Sequence, residues 1–368
     1  MENNLLLKTK KNEYGLYESA LACLLFVIFN IAFTFIYSGV LKSISFSGLS
    51  YIAQFLIEFV FFLAALVVAK TRRIDFVKAT GLNKKINGQI VFYGFLIAVV
   101  SMLGFSNLTN VFLQFLANLG YTSVLGSLEI PNFGVYLIYV FVICITPAVC
   151  EEVLFRGVIL SGFKKYGARI AIILSSLIFT FMHGNAEQTV HQFIVGIIVG
   201  YLFFKSGNVL LGIIVHFFNN FISITLSYAF ADTAAAGEAA ETASNFVSWG
   251  VLFLNLALAL IYAYIGYVVI KYLFNKILKE DAILNATKNA EALETTTIKV
   301  DDTSVNVEMT IDGETITEKD TDTNTSDTEN AKEKSEVIPL GVIVMFALSG
   351  LYLAFEWLGT LLIGFGIG

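Results

Sequence analysis

Residues 135–163 read VYLIYVFVICITPAVCEEVLFRGVILSGF. The run is apolar and longer than the about 20 residues a membrane-crossing helix needs. Only Glu151, Glu152 and Arg156 break its character. Ionisable side chains inside a span are costly, so each is a functional candidate. Glu152 and Arg156 are four apart, which places them on one helix face, and the guanidinium fork suits a carboxylate. They are expected to form a structural ion pair. Glu151, turned by about 100° on the same helix, faces elsewhere.

The rest of the chain agrees with that reading. Its 368 residues are 57% hydrophobic and only 14% charged, with a mean hydropathy of +0.76. Such a composition belongs to a multi-spanning membrane protein in contact with a lipid bilayer. The expected fold is therefore all-α, a polytopic helical bundle of 8–9 transmembrane helices. The net charge of −6 arises largely in one late acidic segment, and no nucleic-acid partner is expected. Cys23, Cys144 and Cys150 fall in apolar runs without a CxxC, which implies neither a disulfide framework nor a zinc ribbon. Nothing in the sequence orients a base toward Cys150 as a nucleophile.

Nine stretches qualify or nearly qualify as spans, at about 16–41, 51–69, 88–119, 133–160, 168–184, 190–204, 208–230, 247–273 and 337–367. The third has a possible break at Gly104-Phe105-Ser106-Asn107, and the sixth is short. Lysine and arginine collect at KTKK (8–11), at KTRR (70–73) with Lys78, Lys84 and Lys85, at Lys164, Lys165 and Arg169, at Lys205, and at Lys271, Lys276 and Lys279. The alternate loops, including GYTSVLGSLEIPN and FADTAAAGEAAETASN, carry none, and only Lys42 interrupts the pattern. The positive-inside rule then places the N-terminus in the cytoplasm of a multi-pass cell-membrane protein. The chain divides into N-terminal transmembrane helices (1–132), a core (133–230), an eighth helix (231–279), an acidic Thr-rich loop (280–336) and a C-terminal transmembrane helix (337–368). The acidic segment lacks the apolar surface to offset its ordering entropy and is expected to be a flexible cytoplasmic loop.

The remaining ionisable groups inside spans are Glu58, His183, His191, His216 and Glu356. Gly167 marks the turn between the fourth and fifth helices. Glu151 lies sixteen residues before it and His183 sixteen after it. In an antiparallel hairpin both then sit roughly 24 Å from the tip, which brings a carboxylate and an imidazole to one level. His216 and Asn220, four apart in HFFNN, share a face of the seventh helix. His191 follows the polar GNAEQTV loop and reads as an interfacial histidine. Glu58, with Gln54, makes a polar stripe that suits a partner for Arg156 or another buried donor, or an ion-coupling carboxylate. Glu356 reads as a snorkelling or bundle-lining residue.

Three pieces, EEVLFR (Glu151, Glu152, Arg156), FTFMH (Phe179, His183) and HFFNN (His216, Asn220), resemble in order the three motifs of the CAAX protease and bacteriocin-processing (Abi, CPBP) intramembrane endopeptidase family, to which Rce-like enzymes belong. The resemblance covers roughly 130–225. It implies a catalytic core of helices 4–7 that hydrolyses a peptide bond in a membrane-associated peptide or protein substrate. In that family reading Glu151 and His183 activate a water, and His216 and Asn220 stabilise the oxyanion. Activity without a tightly bound metal is expected; the alternative is zinc held by Glu151, His183 and His216. HExxH, a GxSG serine motif and an aspartate within any span are absent, which removes the other intramembrane protease plans. Two rivals remain: a non-enzymatic bacteriocin-immunity or scaffold protein, and an ion-coupled transporter, which internal repeats would favour.

Overall fold

The computed structural model describes residues 12–39, 48–124, 128–230, 247–294, 308–311, 314–317 and 338–367. The KTKK cluster, Lys42, the 231–246 loop and most of the acidic segment lie outside the described residues. The helices are α1 (Leu16–Gly39), α2 (Leu49–Arg72), the short α3 (Phe76–Thr80), α4 (Gly88–Asn118), α5 (Phe133–Tyr166), α6 (Ala168–Met182), α7 (Thr189–Ser206), α8 (Val209–Ala229), α9 (Trp249–Glu294) and α10 (Leu340–Gly364).

Eight of these helices, all but α3 and α6, are long and apolar enough to cross a membrane, with α7 counted from the turn at Ala186. The protein is a polytopic α-helical bundle. The short one among the spans is α6, with 15 residues, rather than the sixth stretch that the sequence left in doubt. The third span does not break at Gly104: α4 is continuous, and that glycine lets α4 meet α9 closely, since a Cβ there would lie 3.0 Å from the Gly266 Cα. α9 runs on to Glu294, past the boundary expected at 279. Within the acidic segment, Glu308–Ile311 and Glu314–Thr317 pair as a small antiparallel hairpin, a local exception to the loop expected there.

Side-chain caps fix where several helices start. Asn87 accepts from the Ile90 N–H, Asn132 from Val135 and Asn208 from Leu210, each satisfying an otherwise orphaned helix donor. The α7–α8 turn is made by Gly207 at φ +60, a conformation glycine adopts at no steric cost.

Two of the four apolar clusters among the described residues make up most of the interior. One joins α1, α2, α5 and α6 through an aromatic chain: Phe26–Phe61 (4.4 Å between centroids), Phe61–Phe155 (5.8 Å) and Phe155–Phe179 (4.9 Å). The other joins α4, α7, α8 and α9 around Ile97, Leu202 and Ile270. In lipid such packing stabilises by close contact, because the surrounding tails are as apolar as the core. Outward-facing Leu103, Phe253 and Leu351 are about two-thirds exposed or more, as lipid-facing residues are.

α10 is remote in sequence from the motif helices and is nevertheless fastened to α5 and α7, as well as to α1 and the 119–132 loop. Phe346 stacks on Phe163 (5.4 Å), Tyr352 donates to Asn30 (3.0 Å), Trp357 Nε1 donates to Thr189 Oγ1 (2.8 Å), and the Gly364 carbonyl accepts from the Thr122 N–H (2.8 Å).

Candidate active site

α5 is not a uniform α-helix. An α-helical segment, Thr146–Glu152, lies between two π-helical stretches, Val140–Ile145 and Val153–Leu160. π segments recur at functional sites because the wider turn re-aims side chains and frees backbone groups. Here the α-helical piece carries Glu151 and Glu152, and the second π stretch carries Arg156.

Glu152 and Arg156 form the expected ion pair, with Nη1 2.9 Å from Oε1 and both side chains fully buried. The guanidinium also lies over the Phe179 ring, 4.4 Å from its centroid. The sequence saw only half of what Glu152 does. The same Oε1 accepts from Nδ1 of His216 at 2.9 Å, so this carboxylate joins α5 to α8 and fixes the imidazole. Glu152 is thus both an ion-pair member and an orienting group for His216.

The bond to Glu152 leaves His216 Nε2 turned toward Glu151, with Oε2 4.0 Å away. His183 sits at the C-terminal end of α6. Its Nδ1–H donates to the Phe179 carbonyl at 2.8 Å, and its ring packs edge-on against the Phe179 ring at 4.8 Å. That hydrogen bond leaves Nε2 as its free nitrogen. Phe179 also meets the His216 ring at 6.0 Å, so one aromatic ring braces Arg156, His183 and His216.

Glu151, His183, His216 and Asn220 line one cavity of about 650 Å³, the level placement expected for the first two from their spacing about Gly167. Glu151 is 4% exposed, and its Oε2 has no hydrogen-bond partner. Asn220 donates through Nδ2 to the Ile143 carbonyl at 2.9 Å, which leaves its second amide hydrogen. The cavity's far wall is Glu187. It accepts from Tyr121 Oη (3.1 Å), Ser123 Oγ (2.7 Å) and the Val124 N–H (2.7 Å) of the lysine-free 119–132 loop. The cavity therefore lies toward the end of the bundle opposite the Lys164 turn.

Three residues of the site escaped the sequence reading or were misplaced by it. Glu58, from α2, does not pair with Arg156; Gln54 Nε2 donates to it at 2.9 Å, and its carboxyl stands beside that of Glu151 on the cavity wall. His191 is not merely interfacial; it lines the cavity and accepts at Nε2 from Asn219 at 3.2 Å. Asn219 in turn donates to Asn220 Oδ1 at 3.3 Å. The polar character of Glu58 and Gln54 was a usable signal, whereas nothing distinguished Asn219 from Asn220. Glu356 reaches an adjoining chamber of about 280 Å³ that shares His183 with the main cavity.

The donors suit zinc in kind but not in placement. Zinc holds nitrogen and oxygen ligands at about 2.0–2.2 Å, so two tetrahedral ligands lie about 3.4 Å apart. His216 Nε2 and Glu151 Oε2 are farther apart than that, at 4.0 Å. Among the described residues no three His, Cys, Asp or Glu side chains converge to hold a metal.

Gly212, one turn before His216 on α8, is where Glu152 needs room. A Cβ there would lie 2.8 Å from Glu152 Oε2, and that carboxylate is held by both Arg156 and His216. Gly212→Ala is expected to destabilise the protein by about 1–3 kcal/mol. Its displacement of His216 is expected to lower turnover about ten- to hundred-fold. Thermal unfolding in detergent and a cleavage assay check the two effects.

Comparison with known families finds a likeness confined to this core. Residues 133–222 match the family model described as Rce1-like, type II CAAX prenyl endopeptidase Rce1-like. The matched segment runs from the start of α5 into α8 and contains Glu151, Glu152, Arg156, His183, His216 and Asn220. No curated protein and no solved structure matches the chain. The segment similar to that family thus sits within a multi-pass helical protein.

Proposed function

We propose that this protein is an intramembrane endopeptidase in which Glu151 and His183 activate a water, and His216 and Asn220 receive the charge that forms on the substrate carbonyl. The observation that carries this reading is the unpartnered, buried Oε2 of Glu151, facing a cavity with His216 Nε2 4.0 Å away. A water there gives one proton to Glu151 or His183 Nε2 as its oxygen bonds to the substrate carbonyl carbon. The carbonyl oxygen then carries the negative charge. A proton on His216 Nε2 and the second Nδ2 hydrogen of Asn220 donate to it, a preorganised arrangement of the oxyanion-hole kind. Glu152 fixes the imidazole from behind and supplies balancing charge, as does Arg156 for Glu152. When the tetrahedral species collapses, the C–N bond breaks and the proton held by Glu151 or His183 passes to the leaving amine.

The substrate is a membrane-associated peptide or protein, reached through the bilayer or from the end of the bundle nearest Glu187. A prenylated carboxyl terminus is the family's named substrate type and is one candidate among such segments. The separation of Glu151 and His216 supports a reaction run by side chains without a resident metal. Purified protein in detergent, chelated and shown by metal analysis to hold well under one equivalent of zinc, is expected to cleave membrane peptides at an undiminished rate. Loss of cleavage on chelation, restored by zinc, would overturn the metal-free reaction. Absence of cleavage of any membrane peptide, with or without zinc, would overturn the peptidase reading.

A further inference from the structure

A second recess, of about 640 Å³, lies at the other end of the bundle, between the α3–α4 connection, the last turn of α7 and the extension of α9. The Lys164 turn is at the same end, with Lys164 Nζ 4.5 Å from the centroid of the Phe203 ring on α7. The volume falls within the about 300–1,000 Å³ of small-ligand sites. Three ammonium groups line the recess, Lys78 from α3, Lys84 from the connection and Lys205 from α7.

The recess is built rather than incidental. Gly81, at φ +74, lies so close to the α7–α8 turn that a Cβ there would run into the Gly207 carbonyl oxygen. Lys84 Nζ donates to the Ser206 carbonyl, which satisfies an orphaned acceptor at the end of α7. Asn285 Oδ1 accepts the Lys85 N–H at 3.0 Å and so ties the connection to α9. The one carboxylate in the lining, that of Asp281, is buried and held by amides: its Oδ1 accepts from Asn208 Nδ2 (2.6 Å) and Asn285 Nδ2 (3.0 Å). No lysine forms an ion pair with Asp281 among the described residues. The ammonium groups of Lys78 and Lys205 likewise have no hydrogen-bond or ion-pair partner there, although Lys205 Nζ stands 6.0 Å from the Tyr201 ring.

Lysines gather at one end of a membrane bundle in any case. That tendency does not bring three of them into one recess whose only carboxylate is taken up by amides. The surplus positive charge suits an anion, and the surroundings suit an amphiphile. One turn deeper along the same two helices, Tyr201 and Phe274 stack at 4.9 Å between centroids, four residues before Lys205 and Leu278. Val269 and Tyr272 are exposed on the outward face of α9 beside them.

We propose that this recess binds a phosphoryl group, the headgroup of an anionic lipid. The phosphate oxygens accept from Lys78, Lys84 and Lys205, and the acyl chains descend along the α7–α9 seam past Tyr201 and Phe274. The inference is independent of the peptidase reading.

The test is native mass spectrometry of the full-length protein released from neutral detergent at low ionic strength. It is titrated with phosphatidylglycerol, with phosphatidylcholine of the same chains, and with glycerol phosphate. The first phosphatidylglycerol is expected to bind about ten-fold or more tightly than phosphatidylcholine, since each lysine near an anionic headgroup contributes on the order of five-fold. Lys78→Gln with Lys205→Gln should bring that preference to within about three-fold. Lys84 keeps its bond to Ser206 in this variant, and a thermal melt confirms that it is folded. Lys271→Gln with Lys276→Gln, the same change of charge on α9 outside the recess, should leave the preference intact.

Glycerol phosphate binding as tightly as phosphatidylglycerol, with the same dependence on Lys78 and Lys205, would keep the phosphoryl site and overturn the lipid as its source. Equal affinity for the two lipids would overturn the site. So would an equal loss of preference in both double variants, because the lysines would then act only as diffuse surface charge.

Discussion

Glu151→Gln is expected to abolish detectable cleavage, a loss of about a thousand-fold, with the protein still folded and melting near the wild-type temperature. Glutamine keeps the size and the hydrogen-bonding shape of the side chain but does not take a proton from water. Loss of a positioned general base costs about 10²- to 10⁴-fold. Stability should survive for a specific reason: Glu151 Oε2 accepts no hydrogen bond from the protein, so the amide forfeits none there. The swap also relieves the crowding of two carboxyls, because Glu58 stands against it. Single-turnover cleavage by wild type and variant, with a melt of each, measures both quantities. Full activity in the glutamine variant would remove Glu151 from the reaction.

Glu152 is expected to behave in the opposite way. Glu152→Leu leaves the Arg156 guanidinium charged and buried without its carboxylate, a situation that costs about 3–5 kcal/mol. The single variant should therefore express poorly or melt far below the wild type. Replacing both members, Glu152→Leu with Arg156→Leu, removes the uncompensated charge and should recover most of the lost stability, because a buried pair is often no more stable than apolar residues of like volume. Activity should not return with it. His216 Nδ1 has lost the acceptor that fixes its ring, and imidazole orientation is what the double variant lacks. A stable, inactive double variant separates the two duties of Glu152; a stable and active one would show that His216 needs no brace.

What was legible in the sequence was whatever obeys one helix at a time. Glu152 and Arg156 pair because residues four apart on a helix are neighbours wherever the helix goes. Glu151 and His183 reach one cavity because a tight hairpin converts equal spacing about Gly167 into equal height. The bundle itself followed from apolar runs of spanning length. The contacts that escaped depend on how helices rotate about their own axes against each other, which a run of letters does not record. Glu58 against Glu151 is such a contact, between α2 and α5. His216 on Glu152 is another, and it also depends on the absence of a Cβ at Gly212. The π stretches on either side of Thr146–Glu152 add a further cause, since they shift the phase of α5 away from the regular 3.6-residue turn used to extrapolate along it. His191 was misjudged because nearness to a polar loop looks the same in sequence whether the ring faces headgroups or a polar cavity.

The fastening of α10 bears on how the molecule is made. α10 supplies Tyr352, Leu353 and Glu356 to the chamber beside His183, and its Trp357 and Thr360 are bonded to the turn that begins α7. Ribosomal synthesis delivers α5 to α8 long before it delivers α10, with α9 and the acidic segment between. For that interval the nascent protein holds all of its motif residues while one side of the chamber beside His183 stands open to lipid. Maturation of the site is thus tied to the insertion of α10, and a chain stalled in the acidic segment would carry every motif residue without that wall.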